Sequence, residues 1–199
     1  MRNTKTLYMV QLAMLTAILL ILNFTPLGFL RIGPVEISFM TIPVVVGAIM
    51  MGPLAGGILG LVFGLCSFAL APSHPIFGVA FVQNPILVAG ICIIPRVLIG
   101  VICGLFARAL EKTKHKLAVY GAAGLLGSLI NTVLFLGGVV LLLGNILAPA
   151  MTEGGLLTDK TFGMFWLVVG LTNGIPEAIA STALTLAVVP ALKKITKKS

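Results

Sequence analysis

Residues 84–108 read NPILVAGICIIPRVLIGVICGLFAR, apolar from end to end except for Arg96 near the middle, directly after Pro95. A run of this length and character is a membrane-spanning helix, since a crossing needs about 20 apolar residues. An arginine at such depth costs several kcal/mol unless it finds a partner or a watery cavity. The chain offers one group of opposite charge at similar depth, Glu177 in the segment GIPEAI, and it too follows a proline, Pro176. The expectation is that Arg96 and Glu177 meet.

The rest of the chain has the same character. Of 199 residues, 59% are hydrophobic and only 9% charged, where a soluble domain carries about a quarter charged residues. This is the composition of an integral membrane protein. The net charge of +8 does not indicate nucleic acid, because the cations cluster at the ends of apolar runs and no aromatic residues are interleaved with them. Cys66, Cys92 and Cys103 lie inside apolar runs without metal-ligand or CxxC spacing; they read as small apolar fillers. Arg2 and Lys5 precede an apolar run that continues to Phe24 without a small-residue cleavage site, so it reads as a retained first span rather than a removed leader.

Six spans follow: about 7–25, 39–51, 54–70, 84–108, 117–143 and 162–190. The chain is expected to be one all-α transmembrane domain over residues 1–199. The first connection, PLGFLRIGPVEIS at 26–38, carries Gly28, Gly33 and Pro34 among alternating apolar residues and predicts a short β-hairpin-like loop. Two further stretches, 71–83 and 145–161, read as irregular loops. The second span is short for a ~30 Å core. Gly52, Gly56, Gly60 and Gly64 recur every four residues, a stripe for close helix contact. Ala13 and Ala17 make a smaller strip of the same kind on the first span.

Lysine and arginine placement orients the chain. Arg2, Lys5, Arg108, Lys112, Lys114, Lys116, Lys193, Lys194, Lys197 and Lys198 fall on one face, and only Arg31 and Lys160 on the other. The positive-inside rule places both termini in the cytoplasm of a multi-pass protein of the cell membrane. The hairpin and both irregular loops then lie outside, where a recognition surface is expected.

Depth arithmetic at ~1.5 Å per residue puts Arg96, Asn131, Asn173 and Glu177 in one layer, roughly 16–22 Å below the outer helix ends. Asn173 and Glu177 are four apart, on one helix face. Asn23, Ser67, His74, Gln83 and Asn84 form a second, outer layer of candidates, with Arg31 in the hairpin. Pro95 and Pro176 each leave an upstream carbonyl without its helical donor, which favours a polar, cavity-lining backbone. Three roles are open for Arg96 and Glu177: a structural lock, direct substrate contact, or ion coupling. No Walker loop, nucleophile elbow, HExxH motif or paired catalytic carboxylate is present, so no catalytic residue, cofactor or metal site is expected.

With these features the chain resembles the substrate-binding S components of energy-coupling factor (ECF) vitamin transporters. The resemblance rests on size, six spans, the Ala13/Ala17 strip, the run ISFMTIPVVVGAIMMGPLAGGILGLVFGLCSF, PRVLIG at 95–100 and NGIPEAI at 173–179. It implies a protein that binds a vitamin from outside and is not itself an enzyme. It also implies partners, a transmembrane scaffold subunit that docks on the Ala13/Ala17 face and two cytoplasmic ATPases that drive reorientation of the loaded subunit. The pantothenate type is the nearest match, with Arg96 or Arg31 available for the carboxylate; cobalamin and pyridoxine are the alternatives. The rival classes are an intramembrane enzyme and a purely structural subunit. The first lacks a nucleophile–base pair, and the second has no use for three elaborate outer loops.

Overall fold

The computed structural model describes the backbone of residues 4–25, 28–32, 35–74, 77–153 and 162–198. The elements run α1 (Thr4–Phe24), β1 (Phe29–Ile32), β2 (Val35–Ser38), α2 (Thr41–Met51), α3 (Pro53–Leu70), a 3-10 turn (Ala71–Ser73), α4 (Phe77–Gln83), α5 (Pro85–Ala109), α6 (Lys116–Leu142), α7 (Gly144–Glu153) and α8 (Phe162–Lys198). Five helices (α1, α3, α5, α6 and α8) are long and apolar enough to cross a membrane, and α2 is a shorter apolar helix. Among the described residues these six apolar helices give a multi-pass membrane protein, with a small hairpin between α1 and α2.

Helix α2 is short because it does not face lipid. Of its eleven residues, Thr41, Pro43, Val44, Val45, Val46, Gly47, Ala48 and Ile49 are buried. Being apolar all round, it is a core element, and it touches α1, α3, α5, α6 and α8. With Leu19, Leu59, Phe63, Ile99 and Tyr120 it builds one of the two hydrophobic clusters. At its end Gly52 adopts φ +96°, a value that suits glycine, and Pro53 starts α3 at once.

The stripe of glycines on α3 finds its partner in α5. A Cβ on Gly60 would run into the carbonyl of Arg96, one on Gly56 into the carbonyl of Gly100, and one on Gly64 would lie 2.7 Å from the Ile93 Cα. The two backbones therefore approach as closely as glycine allows. On the other side of the bundle Gly124 of α6 meets the backbone of α8, where Ser181 Oγ donates to the Gly124 carbonyl at 3.1 Å.

The hairpin forms as expected, antiparallel with Phe29 opposite Ser38 and Ile32 opposite Val35, and β2 packs on α8. The two stretches read as irregular loops are different: each contains a helix, α4 and α7, and the two pack against each other. Proline and glycine in both stretches disguise a short apolar face. Ala80 of α4 and Leu147 of α7 are buried in the second hydrophobic cluster, beside Val88, Val139 and Trp166. Helix α8 continues through Pro190 to Lys198, beyond the expected end. All three cysteines are free and buried, as packing residues are.

Candidate functional site

Pro95 organises the buried polar site. It has no N–H, so the Ile91 carbonyl, four residues earlier on α5, loses its helical donor. The guanidinium of Arg96 takes that place: Nη1 donates to the Ile91 oxygen at 2.9 Å. The same guanidinium lies over the Phe135 ring, 4.3 Å from its centroid, and 5.4 Å from that of Phe63. Aromatic faces at this distance attract a cation. Arg96 is thus held by its own helix, by α3 and by α6.

Glu177 on α8 is buried in the same interior with different partners. Its Oε1 accepts from Thr41 Oγ1 at 3.0 Å and from Asn131 Nδ2 at 3.1 Å. Among the described residues no ion pair joins Arg96 to Glu177, so the expected direct pairing is corrected. The physical reason lies next door in the sequence. The carbonyl released by Pro95 is closer at hand for Arg96 than a carboxyl on another helix, and α2 and α6 supply donors that satisfy Glu177.

Two polar atoms in this cluster are buried without a hydrogen-bond partner, Arg96 Nε and Asn131 Oδ1. One is a donor and the other an acceptor. Unpaired polar atoms are costly inside a membrane protein, and each of these two keeps a hydrogen-bonding capacity that no described residue uses. Of the five N–H groups of Arg96, the Nη1 bond to Ile91 is the one hydrogen bond made among the described residues.

The aromatic rings continue outward from Arg96. Phe135 is 5.6 Å from Phe77, Phe77 is 6.3 Å from Trp166, and His74 is 5.0 Å from Phe77. This column links the buried arginine to α4 and to the start of α8. His74 Nδ1 also accepts the Phe77 N–H at 3.4 Å, which ties it to the first residue of α4.

The other candidates divide. Asn131, Glu177 and Arg96 are buried together, whereas Asn173 is half-buried one turn away on α8. Asn84 caps α5, its Oδ1 accepting from the Leu87 N–H at 3.2 Å; Gln83 is exposed, and Ser67 half-buried. Asn23 is buried with Oδ1 unpaired. The side chain of Arg31 lies outside the described residues. Ala13 and Ala17 are both exposed on α1. Sequence reasoning missed Thr41, Phe63 and Phe135. Thr41 had a signal, a lone hydroxyl in an apolar span; the two phenylalanines had none, since rings are ordinary packing in membrane helices.

Comparison with known proteins adds a family to this geometry. The profile described as "ECF transporter, substrate-specific component" matches residues 7–189. A protein named "Pantothenic acid transporter PanT" from Lactococcus lactis subsp. cremoris (strain MG1363) is 30% identical over 178 residues, covering 83% of this chain and 82% of its own. A "Pantothenate transporter PanT" from Leuconostoc mesenteroides subsp. mesenteroides is 34% identical over 154 residues, covering 71% of this chain and 70% of its own.

Proposed function

Because the chain belongs to the family of substrate-specific components of ECF transporters, we propose that it is the vitamin-binding subunit of an importer and that its vitamin is pantothenate. It is a transport protein and not an enzyme. The names of the two relatives support the vitamin. The observation that carries the reading in this chain is the state of Arg96. It makes no ion pair with Glu177 among the described residues, and its Nε is buried without a partner. Pantothenate carries one carboxylate, which suits a guanidinium edge, and hydroxyl groups, which suit the unpaired Asn131 Oδ1. In this reading Asn173 belongs to the deep layer with Arg96, Asn131 and Glu177, and Asn23, Arg31, Ser67, His74, Gln83 and Asn84 form an outer layer. In the same reading the termini are cytoplasmic, the scaffold docks on Ala13 and Ala17, and two ATPases supply the energy.

The test is equilibrium binding of labelled pantothenate to the purified chain, without ATP or partners. Saturable binding is expected. Arg96→Met should weaken it roughly 10- to 100-fold, the worth of a charge-assisted hydrogen bond. The uncharged alcohol analogue of the vitamin should bind the unchanged protein weakly and be indifferent to Arg96→Met. Saturable binding of cobalamin or pyridoxine, with none of pantothenate, would refute the choice of vitamin.

A further inference from the structure

At the end of the bundle opposite the hairpin, a cavity of about 290 Å³ opens between the α2–α3 turn, the end of α5, the start of α6 and the end of α8. Arg108, Lys116 and Lys193 line it, against one acidic residue, Glu111. Two of these cations are held in place. The Arg108 guanidinium lies against Gly52, where a Cβ would sit 3.4 Å from its Nε and Nη2. Lys193 Nζ lies over the Tyr120 ring, 4.7 Å from the centroid. Ile49, Met50 and Val119 add apolar groups to the lining. Leu105 and Leu117, adjacent in the chain to the lining residues Gly104 and Lys116, are exposed on the flank.

We propose that this cavity is a binding site for the phosphate headgroup of an anionic phospholipid. Three cations from three helices converge on one anion-sized space, and basic pockets between transmembrane helices suit lipid phosphates. A volume of about 290 Å³ accommodates a phosphate headgroup. The exposed leucines next in the chain to lining residues offer apolar surface for acyl chains. Arg108 lies twelve residues beyond Arg96 on α5, so the site is separate from the Arg96 cluster and does not depend on which vitamin is carried. Its occupant ties together four helix ends, those of α2, α5, α6 and α8.

The experiment is native mass spectrometry of the full chain released from bilayers of equal phosphatidylglycerol and phosphatidylcholine. Retained phosphatidylglycerol is expected in excess. The pair Arg108→Gln with Lys193→Gln should reduce it by at least roughly fivefold, the minimum for the loss of one surface cation. The pair Lys112→Gln with Lys194→Gln, which removes the same charge outside the cavity, should leave it. The charge-preserving pair Arg108→Lys with Lys193→Arg should retain the lipid, and thermal stability in neutral detergent controls for folding. Equal loss in both glutamine pairs, or equal retention of phosphatidylcholine, overturns the proposal. So does displacement of the lipid by millimolar inorganic phosphate, which would make this a small-anion site. Undiminished lipid in the Arg108/Lys193 glutamine pair, with loss of co-purification with a scaffold subunit, overturns it in favour of a protein contact.

Discussion

Helices α1 and α3 are both apolar spans with small residues at four-residue spacing, yet they serve opposite ends of the packing range. In α3 44% of the most apolar stretch is buried, as in α5, whereas in α1 the figure is 11%. The glycines of α3 are covered by the backbone of α5; among the described residues nothing covers Ala13 and Ala17 of α1, and Met9, Met14, Ile21 and Phe24 are exposed on the same helix. The same sequence motif is therefore spent in one case on fixing a site and in the other on presenting a face. The α3–α5 seam carries Arg96 and sets its depth. Helix α1 touches only α2 and α3 among the elements with substantial contact.

The largest expected effect tests that difference directly. Gly60→Leu would drive a side chain into the Arg96 carbonyl, backbone that cannot yield without moving α5. Overpacking of this kind costs about 3 kcal/mol. Ala17→Leu on exposed α1 should change stability by less than ~0.5 kcal/mol. Thermal midpoints in detergent, read by size exclusion, check both. Similar midpoints would mean that the seam is as pliable as the open face.

How much of this was legible beforehand depended on whether a feature is local. Span positions follow from hydropathy, and the hairpin follows from turn chemistry at Gly28–Ser38. The consequence of Pro95 was also local: a carbonyl four residues back must lose its donor. What takes that donor's place was not readable, because it depends on how α5 is rotated against α6 and α8. The Arg96–Glu177 expectation failed for this reason, since charge and depth were right and azimuth was unknown. The Asn131–Glu177 contact was within reach because both residues are rare polar groups in one layer. The partner of the glycine stripe was hidden because a stripe specifies close approach without naming what approaches. Helices α4 and α7 were hidden by prolines and glycines, and by faces too short to show a period.

An intermediate effect is expected inside the fixed side. Thr41→Val keeps the shape of a fully buried residue and removes the hydroxyl that donates to Glu177. The cost should be about 1 kcal/mol, as for membrane-interior hydrogen bonds. Asn131→Leu removes the second donor to the same oxygen, so the two losses should not add. Thr172→Val, whose hydroxyl bonds to carbonyls of its own helix at an exposed position, should stay within ~0.5 kcal/mol. Denaturant titration of the three single variants and the double variant measures the coupling. Strict additivity would remove Glu177 as the hub that joins α2, α6 and α8.

The smallest effect on stability should accompany the largest on transport. Ala13→Trp places an indole on the exposed strip of α1, where no described residue stands in its way, so stability should shift by less than ~0.5 kcal/mol. Vitamin binding by the isolated subunit should be unchanged, because Arg96, Asn131 and Glu177 are held by α2, α3, α5, α6 and α8. Uptake in cells carrying the complete transporter should fall to background, because close helix approach needs a strip of small side chains. The comparison of α1 with α3 requires this split. A glycine stripe covered from within shows its damage as unfolding, and an alanine strip that a scaffold covers, as in the proposed reading, would show it as failed assembly. If Ala13→Trp reduced binding and uptake in proportion, α1 would be part of the vitamin site. The open face would then have to be assigned to lipid rather than to a docking subunit.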